Sequence, residues 1–398
     1  MASISHRAQK IPASPIRKLG PFADAAKARG IRVHHLNIGQ PDVATPRGMI
    51  QAYQSYDEKV LAYGPSQGLP GLRSAIAKYF VKLGIKLEPD HVNVTFGGSE
   101  AVGFAFSAVT DPGDEILTTE PFYANYLGFA ASTGVTITTV PARADHAFHL
   151  PSDAELEAAI TPKTKAMIVC SPNNPTGTVY TKEEMERLGK ICEKHDLYLI
   201  SDEVYREFAY GEIPTSALSL PCAHDRVIVV DSVSKRFSAC GARVGCVITK
   251  NPILLNVFMR MCFARLCPAT VDQIAAIAAY DTPQSYFDDV VAEYTRRRDA
   301  LVKGLNSIKG VSAPMPEGAF YLVTTLPVDD ADEFAKWLLT DFNHEKETVM
   351  IAPASGFYGH AELGKHQARI AYVLEVPHLL RSVELLRIAL DQYPGRRA

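Results

Sequence analysis

The sequence predicts an α/β fold: a large domain built on a doubly wound, mostly parallel sheet, joined to a smaller α/β domain made from both ends of the chain. Strand and helix signals alternate through the middle of the chain, and the apolar runs there are rich in β-branched residues. After about residue 285 the pattern changes to charged helices. The expected divisions are an arm and small-domain segment over 1–48, the large domain over 49–284, and the carboxyl-terminal small domain over 285–398.

Taken in order, Ser66 to Gly84 opens with proline and glycine and then sets Leu72, Ile76, Tyr79, Phe80 and Leu83 at helical spacing, the pattern of an amphipathic helix on a core. VNVTF (92–96) reads as a strand, and GGSEAVGFAFSAV as glycines leading into a helix with Ser99 in its first turn. EILTTE (115–120) and VTITTV (135–140) are further strands. TKAMIVCSPNNPTG (164–177) is a buried strand ending in a turn rich in Asn, Pro and Gly. Thr181 with Glu184 forms a capping box ahead of a helix bearing Met185, Leu188 and Ile191. In DLYLISDEVYREF (196–208) the apolar LYLI runs directly into Asp202, Glu203 and Tyr205, and DRVIVVD (225–231) is a strand buried on both faces. Beyond residue 285, EYTRRRDALVKGLNSI is helical, AFYLVTTL is strand-like and a last helix follows. Three buried strands thus deliver polar groups to one rim, the carboxyl edge at which open parallel sheets collect ligands.

Composition narrows the class. The 398 residues are 47% hydrophobic with a formal charge of −3, enough core for two domains and no basic stripe for nucleic acid or an anionic membrane. No apolar stretch approaches membrane-spanning length. Seven dispersed cysteines without a C-x-x-C pair argue against a disulfide framework or zinc site and point to a reducing cytosol, so the expected location is cytoplasmic. Arg7, Lys10, Arg17 and Lys18 give the first 23 residues a basic character, but Pro12 and Pro15 interrupt any amphipathic helix of the kind a transit peptide needs. A nicotinamide dehydrogenase would require G-x-G-x-x-G, and GGSEAVG has the wrong spacing.

The most informative segment is SVSKRFSACGARVG (232–245). Two hydroxyls precede Lys235 and an arginine follows eight positions on, a setting in which the amine can hold a carbonyl cofactor while the hydroxyls and guanidinium grip a phosphate. Together with NIGQPD (37–42), YGPSQGLPGLR (63–73), GGSEA (97–101), EPFYANY (120–126), SPNNPTG (171–177), SDEVY (201–205) and RIAYV (369–373), it makes the chain resemble the class I and II aminotransferases. These are fold type I pyridoxal 5'-phosphate enzymes typified by aspartate aminotransferase.

The resemblance implies a role for each matched position. Lys235 holds the cofactor and moves the substrate proton, and Asp202 faces the pyridine nitrogen with Glu203 as its structural neighbour. Asn174 and Tyr205 bond the phenolic oxygen, Asn174 also lying at the substrate, with Asn173 the competitor in the same turn. Tyr123 covers the cofactor face, with Tyr126 nearby. Gly98, Ser99, Ser232, Ser234 and Arg243 cradle the phosphate, and Tyr63 reaches it from the other subunit of a homodimer. Arg369 clamps the substrate α-carboxylate, with Gly39 lending its N–H.

The implied reaction is ping-pong transfer from an amino acid, aspartate first, to a 2-oxo acid such as 2-oxoglutarate. Aromatic or aliphatic donors and a carbon–sulfur β-lyase are the alternatives. Where aspartate-type enzymes carry a cation for the distal carboxylate, this chain has Gln273 and Ser99, which leaves Arg17 on the arm as the candidate reader. His360 and His366 show no carboxylate partner in helical register, so no metal site is expected, and Arg296 to Arg298 read as a solvated helix face.

Overall fold

The structure is a computed structural model that describes residues 3–9 and 11–397. Its strands are β1 (Arg32–His35), β2 (Val92–Thr95), β3 (Glu115–Glu120), β4 (Thr136–Pro141), β5 (Thr164–Cys170), β6 (Tyr198–Asp202), β7 (Val227–Ser232), β8 (Gly245–Thr249), β9 (Tyr321–Thr325), β10 (Glu347–Met350), β11 (Ala352–Pro353) and β12 (Gln367–Ala371). Seven of them form one sheet in the order β2-β8-β7-β6-β5-β3-β4, in which β8 alone runs antiparallel to its neighbours. This is the expected α/β fold.

Alternation along the central strands explains why the sheet is wound on both sides. Met167 and Val169 of β5, Leu199 of β6 and Val227 and Val229 of β7 pack into one core, while Ala166, Ile168, Ile200, Ile228 and Val230 pack into another on the opposite face. The helix Gly97–Val109 covers the second face with Ala101, Val102, Ala105 and Phe106. The helix Lys182–Lys194 covers the first with Met185, Leu188 and Ile191, and its capping box is formed: Glu184 N–H donates to Thr181 Oγ1 at 3.2 Å and Thr181 N–H to Glu184 Oε2 at 2.8 Å.

A separate core gathers the helices Gln284–Asn306, Ala331–Thr340 and Val376–Gln392 around β9, β10 and β12. The amino end joins it, since β1 pairs in parallel with β10 from Arg32 opposite Glu347 to His35 opposite Met350.

The helix Gln284–Asn306 corrects one expectation. Arg297 is only 4% exposed, donating to Asp42 Oδ1 at 2.6 Å and to Glu293 Oε1 at 2.8 Å. Arg298 stacks over the Tyr210 ring at 4.6 Å. Of the basic trio only Arg296 is a solvated residue, because the amino-terminal segment around Asp42 covers the turn that Arg297 faces.

Candidate active site

The carboxyl ends of β5, β6 and β7, the amino end of the helix Gly97–Val109 and the single turn Val233–Arg236 surround one cavity. Its wall includes Gly98, Ser99, Tyr123, Asn174, Asp202, Tyr205, Ser232, Ser234, Lys235 and Arg243. These positions span most of the large domain, and the strand order brings them to the predicted rim.

Lys235 is half-buried, with Nζ donating to Gly39 O at 2.9 Å and lying 3.6 Å from Cys240 Sγ. Asp202 ends β6 and is 5% exposed. It accepts from the Tyr126 hydroxyl at 2.8 Å and weakly from Val204 N–H at 3.4 Å, and has no ion-pair partner among the described residues. Burial pushes its pKa up to about 6, against the pull of those hydrogen bonds. A buried carboxylate in this state favours a cation placed beside it. Glu203 turns away into the core, where it takes the Ser216 hydroxyl at 2.9 Å and Ala217 N–H at 2.9 Å.

The turn after β5 separates the two asparagines. Asn173 spends its amide on the turn itself, accepting from Thr176 N–H at 3.2 Å and donating to Cys170 O at 3.3 Å. Asn174 faces the site, donating to the Tyr205 hydroxyl at 3.2 Å and accepting from Arg369 Nη1 at 3.2 Å. Arg369 is 1% exposed, yet among the described residues no carboxylate balances it and Nε has no partner: Nη2 bonds Asn37 O, and the guanidinium lies 4.5 Å from the Tyr321 ring and 4.9 Å from that of Phe357. Burial draws its pKa below the ordinary value. An arginine so placed suits an incoming carboxylate.

The end of the cavity nearest the helix Gly97–Val109 has its own construction. The first-turn amides of the helix Gly97–Val109 have no helical acceptor and face an anion favourably. Ser232 Oγ donates to Ser234 Oγ at 2.8 Å, which draws the two hydroxyls together. Arg243, at φ +53°, holds its side chain against Gly97, where an added Cβ would stand 2.7 Å from Arg243 Nη2. Glycine at 97 thus admits the guanidinium to the helix end.

Not every expected residue lines this cavity. Tyr63 is 83% exposed and outside this cavity's wall. Gln273 is fully buried and uses its amide on Leu69 N–H at 2.8 Å and Pro268 O at 2.9 Å, bracing the loop that carries Tyr63. Arg17 is exposed, while its neighbour Ile16 packs against the cluster of Ala124, Ala352 and Phe357 and its carbonyl accepts from Asn37 Nδ2 at 3.1 Å. Gly39 sits under Tyr321, where a Cβ would come within 1.7 Å of the hydroxyl. His360 does have a carboxylate partner, Glu120 Oε1 at 2.7 Å, supplied by β3 rather than by helical neighbours. His366 instead meets Arg397 at 2.8 Å.

The family profile described as "Aminotransferase class I and II" matches residues 31–358. The chain belongs to that family. It is 34% identical over 356 residues to the aspartate aminotransferase of Thermotoga maritima, covering 89% of this chain and 92% of that protein. The aspartate/prephenate aminotransferase of Thermus thermophilus is 30% identical over 397 residues, covering 96% and 98%. Among solved structures, an alanine aminotransferase from Pyrococcus furiosus superposes with a TM-score of 0.90 at 31% identity, covering 98% of this chain and 100% of that one.

The enzyme is a pyridoxal phosphate-dependent aminotransferase, and its cavity fits that cofactor: a carboxylate in want of a cation at Asp202, an anion cradle at Gly98, Ser99, Ser232, Ser234 and Arg243, and an amine at Lys235 between them. Tyr126, Tyr321, Asn37 and Cys240 complete the surroundings without having been singled out as site residues from sequence. Tyr126 stood in EPFYANY beside Tyr123 and was distinguishable only by its contact with Asp202.

Proposed function

We propose that the enzyme works as a homodimer, transferring the amino group of an α-amino acid, aspartate first, to a 2-oxo acid such as 2-oxoglutarate by a ping-pong route. The observation that carries this is the convergence of Lys235, Asp202 and the unbalanced Arg369 on one site. When bound, pyridoxal phosphate supplies the electron sink that stabilises negative charge at the substrate Cα. Asp202 would face its ring nitrogen, Asn174 and Tyr205 its phenolic oxygen, and Tyr123 its face, while the cradle holds its phosphate.

Arg369 binds the α-carboxylate, and Gly39 offers the same group a main-chain N–H. This would fix the Cα–H toward Lys235, whose Nζ would take up that proton and give it back as the transfer proceeds. The oxo-acid product leaves before the second oxo acid binds.

The distal carboxylate is assigned to Arg17. Support comes from its neighbour Ile16, which packs against the cluster that holds Phe357, the ring beside Arg369, and from the absence of any side-chain hydrogen bond or ion pair to Arg17 among the described residues. A second donor class, aromatic or aliphatic amino acids, is favoured by the uncharged wall of Val102, Tyr123, Phe129 and Val204.

The dimer reading is supported by Val60, Leu61 and Tyr63, 72%, 74% and 83% exposed, on a loop pinned by Gly64 N–H to Cys267 Sγ at 3.2 Å. Tyr63 would complete the phosphate site of the second subunit. The seven free thiols accord with a cytosolic location.

The test is a half-reaction scan. Holoenzyme mixed with single amino acids loses its visible cofactor band fastest with aspartate. Rapid conversion by phenylalanine or leucine with aspartate inert selects the second donor class, and product release without any oxo-acid acceptor selects a β-lyase.

A further inference from the structure

We propose that Glu120 is a positioning residue for substrate binding, latching the loop that carries Phe357 so that Arg369 is held ready for the α-carboxylate. It rests on reading Arg369 as the carboxylate clamp. Glu120 ends β3 and is 0% exposed, yet no lysine or arginine pairs with it among the described residues. Its carboxylate reaches instead to the segment between β11 and β12. Oε2 accepts from Gly359 N–H at 2.6 Å and His360 N–H at 3.0 Å, and Oε1 meets His360 Nδ1 at 2.7 Å.

Hydrogen bonds to an ionised acceptor are about twice as strong as those between neutral groups, so this carboxylate fixes the loop more firmly than an amide or hydroxyl would. The fit is close: a Cβ at Gly359 would stand 2.9 Å from Thr139 Oγ1 and 3.3 Å from Glu120 Oε2. One main-chain rung adds to it, Phe122 N–H to Phe357 O at 2.8 Å.

Both ends of the latch lead into the site. On the loop side, Phe357 is fully buried with its ring 4.9 Å from the Arg369 guanidinium, and the loop departs from Ala352–Pro353, where Ala352 is paired with Arg369 itself. On the strand side, Phe122 stacks on Tyr126, the partner of Asp202, with ring planes 2° apart. A buried carboxylate without a cation is costly to retain, and here its return is a substrate clamp registered against the strand that bears the cofactor face.

The experiment compares Glu120→Ala, Glu120→Gln, His360→Ala and Arg369→Lys as purified holoenzymes. It measures steady-state kinetics, cofactor occupancy from the visible band, and apparent Kd for α-methylaspartate and α-methylphenylalanine, which lack a Cα–H and so bind without being transaminated. Glu120→Ala is expected to raise KM and Kd about tenfold while kcat stays within about twofold and occupancy is full. Glu120→Gln recovers part of the loss, because its amide oxygen still accepts the two main-chain N–H groups. Unchanged KM and Kd in Glu120→Ala, with Arg369→Lys impaired, overturns the latch. An unimpaired Arg369→Lys overturns the clamp reading instead. Should Glu120→Ala fail to fold, His360→Ala decides: it removes only the ring contact and is expected to raise KM about threefold, and no change refutes the proposal.

Discussion

The Tyr126 hydroxyl donates to Asp202 Oδ2 at 2.8 Å, the one side-chain hydrogen bond that this buried carboxylate receives among the described residues. Burial raises the Asp202 pKa from 3.8 to about 6, and the Tyr126 bond works in the opposite direction. The folded protein without cofactor therefore takes up this proton more readily than the unfolded chain. Its stability falls as pH rises from 3.8 through about 6, and the full penalty stands above that. A protonated ring nitrogen beside the ionised carboxylate removes the penalty.

Two outcomes follow for the Asp202 region. The cofactor-free protein should lose thermal stability between pH 4 and about 6 relative to Asp202→Asn, and the holoenzyme should not. Tyr126→Phe should push the Asp202 pKa higher still and weaken cofactor binding in that acidic range, measured by titration calorimetry across pH. Superimposable binding profiles for wild type and Tyr126→Phe would refute the coupling.

A second pH effect concerns His149, which bridges Glu184 Oε2 at 3.0 Å and Glu317 Oε2 at 3.4 Å. The hydrogen bonds to Glu184 and Glu317, in that order, raise its pKa from 6.5 to about 10. For a histidine stabilised in its charged form, the contribution is complete below pH 6.5 and disappears as pH rises through about 10. His149→Gln should therefore unfold earlier than wild type at pH 6, with the gap closing toward pH 10, as read by thermal melts of the holoenzyme. A gap constant over that range would show that His149 contributes by packing alone.

Gly39 and Tyr321 give a steric prediction. The Tyr321 hydroxyl bridges Gly39 O at 3.3 Å and the Tyr205 hydroxyl at 3.1 Å, and a Cβ at Gly39 would fall 1.7 Å from that oxygen and 2.2 Å from the ring carbon bearing it. Because the ring itself is in the way, Tyr321→Phe cannot relieve Gly39→Ala, but Tyr321→Ala can. Gly39→Ala should lower kcat/KM by roughly a hundredfold, with the double variant Gly39→Ala, Tyr321→Ala recovering part of it. Equal losses in Gly39→Ala and in that double variant would place the requirement for glycine elsewhere.

What was legible in the sequence follows from where each residue sits on its element. Asp202, Asn174 and Lys235 stand at or just beyond the ends of short buried strands, so a run of apolar residues announces them, and Gly98 and Ser99 are announced by glycines before a helix. Tyr126 and Tyr321 carry no such mark, and Glu120 ends a strand whose preceding residues, Thr118 and Thr119, are polar and so hide it. Their partners lie 76, 116 and 240 positions away, and only the folded sheet brings them together. Arg297 departs from its local pattern for the same reason: composition shows a charged helix face, and its carboxylate partner Asp42 is 255 positions distant.

The last prediction concerns the amine itself. Among the described residues Lys235 Nζ hydrogen-bonds only Gly39 O at 2.9 Å and Cys240 Sγ at 3.6 Å, so replacing it leaves Asp202, Arg243 and the serine pair in place. Lys235→Ala should retain bound cofactor without a covalent link, seen as absorbance that dialyses away slowly and is not fixed to the chain by borohydride. Turnover should fall roughly a thousandfold or more, since both the attachment point and the proton carrier are lost. The vacated side-chain volume opens onto the cavity, so added methylamine should restore part of the rate, with more basic small amines restoring more. Borohydride labelling of another lysine in the wild-type enzyme, or a Lys235→Ala protein that turns over without added amine, would remove the assignment.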